Sequence, residues 1–255
     1  MSYEFVKLEW SEGMARLVLN RPPLNVLNIP MMRELQAALE EVAADDQAKV
    51  VVITGDGRAF CAGVDVADHT ADRVDEMLHL FHAVIRQVMD LEMPVVAALN
   101  GAALGGGWEL AMACDMVVAR DDAKIGQPEI QLAVFPPAAA VLMPRLIGRQ
   151  RAMELILTGR TITAAEGRQI GLVNQVFPAE EYPSGVDRFV GQLTALSRPV
   201  LRLTKRAVKE GLELGVGPAL ELTEAIYLSE LMRLEDPHEG LAAFMEKRKP
   251  VWKNQ

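Results

Sequence analysis

The sequence predicts a layered α/β fold built on a largely parallel sheet, followed by a helical C-terminal part. Three observations carry that prediction. Apolar runs at residues 50–53 (Val50-Val51-Val52-Ile53) and 95–99 do not alternate with polar residues, so they read as strands covered on both faces. Segments 31–44 and 72–91 place apolar residues at helical spacing between those runs. From residue 182 onward the pattern is helical almost throughout.

Taken in order, residues 5–10 and 14–19 alternate on either side of Ser11-Glu12-Gly13 and read as a β-hairpin, which Arg21-Pro22-Pro23 ends. In 31–44, Met32, Leu35, Ala38, Leu39 and Val42 form one apolar stripe, with Pro30 suited to the first turn. The strand at 50–53 leads into the loop at residues 54–65. A long helix over 72–91 follows, with Val74, Met77, Leu78, Phe81, Val84, Ile85 and Val88 on its buried side. The strand at 95–99, a glycine turn, a short helix and the strand-like 116–119 repeat the same order. Phe135-Pro136-Pro137 opens a helix toward Leu146. Thr163-Ala164-Ala165-Glu166 fits a capping box, with Thr163 as N-cap and Glu166 reaching back to its backbone. Residues 173–176 read as a last strand. The helical remainder is broken at Ser197-Arg198-Pro199, Gly215-Val216-Gly217-Pro218 and Asp236-Pro237. This divides the chain into an α/β core, residues 1–198, and a C-terminal helical region, residues 199–255.

At 255 residues and 50% hydrophobic, the chain is long enough to bury one large core. Its 26 Lys and Arg against 35 Asp and Glu give a net charge of -9, which disfavours nucleic acid or anionic membrane as partners. The longest apolar stretch, 133–144, is too short to span a membrane and contains Pro136 and Pro137. No signal or transit profile precedes the first strand, so the expected location is the cytoplasm. Cys61 and Cys114 form no ligand cluster, so they are expected to be reduced thiols, and no metal is expected. His79 and His82 lie three apart on a helix without a third ligand and read as an exposed face.

The chemistry concentrates around residues 100–115, where Gly105, Gly106 and Gly107 stand between a buried strand and a helix. Glycines there admit a ligand close to the unpaired N–H groups of a helix start, a setting suited to an oxyanion. They equally permit close packing of helix on strand, and the turn alone does not choose. A second loop, Cys61-Ala62-Gly63, also follows a buried strand and offers backbone N–H groups. Two carboxylates lie nearby in sequence. Glu109 sits just inside the helix and Glu129 follows Pro128. Meeting at one water, they divide acid and base roles; alternatively Glu109 complements the helix dipole and Glu129 is a surface residue.

The strings Ala59-Phe60-Cys61-Ala62-Gly63-Val64-Asp65, residues 100–115 and Gly126-Gln127-Pro128-Glu129, with Leu157-Thr158-Gly159, Gly171-Leu172-Val173 and 239–249, closely resemble the enoyl-CoA hydratase/isomerase (crotonase) superfamily, colinear over nearly the whole chain. The resemblance implies a spiral of repeated β-β-α units, an acyl-CoA thioester substrate and no cofactor. It implies an oxyanion hole from the N–H groups of Ala62 and Gly106, with Glu109 as the base activating water and Glu129 as the acid protonating Cα. Binding of substrate or CoA is expected at Ala59, Phe60, Cys61, Asp65 and Gly105, and at Phe244 and Lys247 from a neighbouring subunit of a homotrimer or dimer of trimers.

Isomerases of the superfamily typically lack one of the two carboxylates, so hydration is the expected reaction. Phe135-Pro136-Pro137-Ala138-Ala139-Ala140-Val141 replaces the glycine-rich stretch of straight-chain hydratases. That stretch is expected to be stiffer and to reshape the acyl pocket, and residues 21–28, 62–70 and 74–77 look most like the cyclic dienoyl-CoA hydratases of anaerobic aromatic degradation. General short-chain enoyl-CoA hydration or isomerisation is the alternative. A more distant one is RNA binding along the basic stripe Arg202, Lys205, Arg206 and Lys209.

Overall fold

The computed structural model describes residues 3–255. Strands β1 (Val6–Ser11) and β2 (Met14–Leu19) form the expected hairpin, in register from Val6 opposite Leu19 to Ser11 opposite Met14. Gly13, at φ +72°, closes its two-residue turn. Helix α1 (Ile29–Ala44) starts two residues earlier than the apolar stripe indicates, because the Asn28 side chain accepts the Met31 N–H and the Asp68 carboxylate accepts that of Ile29. There follow β3 (Val50–Gly55), β4 (Ala59–Cys61), a 3-10 turn (Val66–Asp68) and α2 (Val74–Asp90). Next come β5 (Val95–Leu99), β6 (Ala102–Leu104) and α3 (Gly106–Met112), then β7 (Met116–Arg120), β8 (Lys124–Gly126), a 3-10 turn (Pro128–Leu132) and α4 (Pro137–Ile147).

After the hairpin and α1, the order strand, strand, helix occurs three more times. The first strand of each unit enters a six-stranded sheet, β1-β2-β3-β5-β7-β10, and the second enters a four-stranded sheet, β4-β6-β8-β9. This is the spiral the resemblance implies. All pairings are parallel except β1 with β2 and β8 with β9.

The non-alternating strands are explained by what lies on each side. On one face α1 and α2 bury Met31, Met32, Leu35 and Leu39 with Phe81, Val84 and Val88. On the other, Val50, Val52, Val96 and Val118 meet Val186 and Val190 of α7 (Tyr182–Thr194). Each such side chain contributes about 1.5–3 kcal/mol by leaving water. Between these layers and α7 the chain adds α5 (Arg149–Thr158), β9 (Thr161–Thr163), α6 (Ala164–Ile170) and β10 (Gln175–Phe177), the last lying two residues beyond where the expected strand begins. Thr163 caps α6 by accepting the Glu166 N–H at 3.1 Å. Glu166 does not complete the box, however, because its carboxylate is bound by Arg160 at 2.8 Å.

The C-terminal helices are α8 (Arg198–Gly211), α9 (Val216–Ser229) and α10 (Glu235–Glu246), with a 3-10 turn, Leu231–Arg233, before the last. Asp236-Pro237 therefore begins a helix instead of breaking one. The basic stripe on α8 is engaged with acids of neighbouring elements: Arg202 with Glu92, Lys205 with Asp115 at 2.7 Å, Arg206 with Glu230 and Lys209 with Asp90. It ties α8 to the core and leaves little free positive charge for RNA phosphates. Among the described residues no helix is long and apolar enough to cross a membrane.

Candidate active site

In the small sheet β4, β6 and β8 lie side by side and run parallel. Their carboxyl ends therefore deliver three loops to one place: 62–65, 105–107 and 127–129. Such an edge is where open parallel sheets hold ligands. A hydrogen bond from the Gly105 N–H to the Gly126 carbonyl, 2.9 Å, joins the second loop to the third.

Each of the three glycines has its own reason. A Cβ on Gly105, whose φ is +51°, would lie 2.7 Å from Glu129 Oε1. One on Gly106 would lie 2.5 Å from the Val64 side chain, and one on Gly107 would lie 2.3 Å from the Cys61 carbonyl. The run thus serves close packing and also seats a carboxylate. At the start of α3, the N–H groups of Gly106 and Gly107 precede the first intrahelical bond, from Glu109 N–H to Gly105 O at 2.9 Å.

The first loop departs from expectation in one respect. The Ala62 N–H donates to the Leu24 carbonyl at 3.0 Å, so it is already used inside the fold. Val64 lies two residues on, in a parallel bridge with Leu27. The bonds that make this bridge run from Leu27 N–H to Gly63 O, 2.8 Å, and from Asp65 N–H to Leu27 O, 2.7 Å. A parallel bridge uses the groups on either side of the bridged residue. Among the described residues the Val64 N–H has no backbone acceptor. Its side chain touches the Gly106 position, so the pair of available donors is Val64 and Gly106.

Glu109, 3% exposed, is held by α4: the Ala139 N–H donates to its Oε1 at 2.7 Å. Burial pushes its carboxyl up to about 7, and the nearby Glu129 charge adds to that rise, while the Ala139 bond opposes it. Glu129, half-buried in the turn Pro128–Leu132, is also pushed up to about 7 by burial. Two carboxyls raised toward neutrality by burial and brought to neighbouring loops are suited to giving and taking protons near pH 7.

The remaining expected residues fall into three groups. Ala59, Phe60 and Cys61 form the buried strand β4, so their side chains belong to the core. The carbonyls of Ala59 and Phe60 are taken by the Asn25 amide at 2.8 and 3.2 Å, and the Cys61 thiol donates to the Gly63 carbonyl. Burial pushes that thiol up to about 12, which leaves it a poor nucleophile. Asp65 caps the turn Val66–Asp68 through the Ala67 N–H and pairs with Arg21 at 3.1 Å. Phe244 and Lys247 lie on and just after α10, which packs on the turn Leu231–Arg233, and Phe244 is 85% exposed.

Sequence reasoning missed Asn25. It is fully buried at φ +54°, accepts the Arg21 N–H, and donates to the carbonyls of Asp56, Ala59 and Phe60. It fixes the loop that presents Val64. In the sequence it is marked only by its place two residues after Pro22-Pro23, within the segment 21–28.

The profile of the enoyl-CoA hydratase/isomerase family matches residues 9–255. A probable enoyl-CoA hydratase of Rhizobium meliloti is 39% identical, with 100% of both chains covered. The cyclohexa-1,5-dienecarbonyl-CoA hydratase of Thauera aromatica is 37% identical, covering 98% of this chain and 96% of its own. The crystal structure of an enoyl-CoA hydratase from Bacillus anthracis superposes with a TM-score of 0.95 at 33% identity, over 99% of this chain and 100% of that one. With the spiral of β-β-α units and a match along almost its whole length, the chain belongs to the enoyl-CoA hydratase/isomerase (crotonase) family of enzymes acting on acyl-CoA thioesters.

Proposed function

We propose that this enzyme adds water across the conjugated double bond of an enoyl-CoA or dienoyl-CoA thioester, and that its substrate is cyclohexa-1,5-diene-1-carbonyl-CoA. The observation that carries the hydration reading is the pair Glu109 and Glu129, both raised to about 7 and delivered by adjacent strand ends beside free backbone donors. Glu109 takes a proton from water as the oxygen bonds to Cβ. The displaced π electrons move through Cα onto the thioester oxygen, which the N–H groups of Val64 and Gly106 stabilise. Glu129 gives its proton to Cα. Glu109 ends protonated and Glu129 ionised, and exchange with solvent restores both.

The cyclic substrate rests on the segment after the second glutamate. Pro136 is buried, Pro137 starts α4, and the helix they fix holds Glu109 through Ala139. The stiffened stretch that departs from the straight-chain pattern therefore sits directly on the proposed base. The likeness to the Thauera hydratase supports the same choice. The likeness to the Rhizobium enzyme supports general enoyl-CoA hydration as the second reading.

The acyl-CoA site is completed by another copy of the chain in a homotrimer or dimer of trimers. Phe244, Met245 and Leu241 on α10, Leu212 just after α8, and Val216 and Leu220 on α9 are large apolar side chains left exposed, of the kind a partner copy covers. A role for Phe244 and Lys247 in holding CoA passes through that contact.

The test follows loss of conjugated-thioester absorbance with crotonyl-CoA and, separately, with the cyclic diene, using Glu129→Gln as control. Turnover of the diene alone, abolished in the variant, is the expected result. Turnover of crotonyl-CoA alone returns the enzyme to general enoyl-CoA hydration. Inactivity on both overturns the hydratase reading.

A further inference from the structure

Glu129 has a neighbour that the mechanism has not used. Gln127 is fully buried, between Gly126 of β8 and Pro128 of the turn that carries Glu129. Its backbone is fixed on one side by the Gly105 bond to the Gly126 carbonyl and on the other by the proline. With its NH2 turned toward Glu129, the amide donates to both carboxylate oxygens at 3.0 Å each. Turned over, it sets its carbonyl oxygen against the same carboxyl, a contact that is favourable only when Glu129 carries a proton.

We propose that Gln127 is a positioning residue that holds the Glu129 carboxyl in both of its protonation states, by turning its terminal amide over as the proton comes and goes. The inference rests on the reading of Glu129 as the group that gives a proton to Cα, and it deepens that reading. A lysine or arginine at this place would bind the ionised form alone and hold the pKa down. A backbone N–H would do the same more weakly. A primary amide carries a donor and an acceptor on one soft two-fold torsion, so it serves the carboxylate before protonation and the acid after it.

The other titratable group facing Glu129 is Glu109 from α3, whose carboxyl feels its charge. Arg160, between α5 and β9 beside the small void that Gln127 lines, is bound by Glu154 and Glu166. Gly105 leaves the space that Oε1 occupies, where any Cβ would lie 2.7 Å from it. Glu129 thus has a glycine that leaves it room and an amide that fixes its direction.

The experiment is an infrared titration of the free enzyme, following the carbonyl stretch of the protonated Glu129 carboxyl, assigned by its loss in Glu129→Gln. In Gln127→Met the carboxylate loses two charge-assisted donors while the acid loses one neutral acceptor. The midpoint is expected to rise by about 1 pH unit, and the stretch to move to the frequency of an unbonded acid. Gln127→Glu, which keeps an acceptor and removes the donors, moves the midpoint up further. With substrate, Gln127→Met lowers kcat by about 10-fold and changes KM by less than about 2-fold. An unchanged midpoint and band in both variants overturns the proposal and leaves Gln127 as filler. Because the titration needs no turnover, a shifted midpoint in an enzyme that hydrates neither thioester sustains Gln127 as the partner of Glu129 and sinks the hydration reading instead.

Discussion

The assignment of the oxyanion donors is open to a sharp test, because two residues in one loop differ in a single property. The Ala62 N–H is bonded to Leu24 at 3.0 Å, whereas the Val64 N–H has no backbone acceptor among the described residues. Replacing one amide by an ester, with the α-hydroxy analogue of the residue introduced during translation, deletes that N–H and keeps the side chain. At position 64 the loss removes one of two donors to the developing enolate. Loss of such a donor costs about 2.7–4 kcal/mol in the transition state, or about 100- to 1000-fold in kcat. At position 62 it removes one internal bond, expected to cost about 0.5–1.5 kcal/mol of stability and to leave kcat within about 3-fold. Both proteins are measured by thioester hydration and by urea unfolding. A loss of kcat at position 62 with position 64 unaffected refutes the reasoning and restores Ala62 as the donor.

Other outcomes follow from the same geometry. Gly105→Ala places a methyl against Glu129 Oε1 at a positive φ, so kcat falls by about 100-fold while the fold loses about 1–2 kcal/mol, read by assay and thermal melt. Glu109 carries a pKa raised from 4.5 to about 7, so the folded state binds its proton more tightly than the unfolded one and stability declines as pH rises through that window. Glu109→Gln removes the decline. Urea titrations should show the variant gaining on the wild type by about 3 kcal/mol between about pH 5 and about pH 8, and a constant difference would contradict the burial argument. Asn25→Ala strips donors from three buried or half-buried carbonyls and leaves alanine in a left-handed conformation. A loss of about 2–4 kcal/mol in urea unfolding is expected, with kcat reduced because the Val64 loop is no longer pinned.

Much of this site was legible because its parts are local. The Gly105 to Gly107 turn, Glu109 inside the next helix and the Thr163 cap are each written within a few consecutive residues. The non-alternating strands announced a sheet covered on both faces, and α7 together with α1 and α2 covers it. What escaped depends on partners distant in the chain. Whether Ala62 or Val64 offers a free N–H turns on Leu24 and Leu27, which belong to the segment after the hairpin. Ala59 and Phe60 read as pocket residues from their motif, yet their strand pairs with β6 and buries them. Glu166 looked like half of a capping box until Arg160, six residues earlier, claimed its carboxylate. Gln127 stood inside a motif, but its amide became meaningful only when β6 and β8 brought Gly105 against Glu129.

In the proposed reaction two carboxyls and two backbone donors add water to a conjugated thioester. It is tested most directly by running the reaction in deuterated, heavy-oxygen water and analysing the product by mass spectrometry, with Glu109→Gln and Glu129→Gln alongside. The expected product carries one heavy oxygen in a new hydroxyl and one deuterium at Cα, with near-complete loss of both labels' incorporation in either variant. Deuterium at carbon without any heavy oxygen would identify a double-bond isomerase and contradict the account.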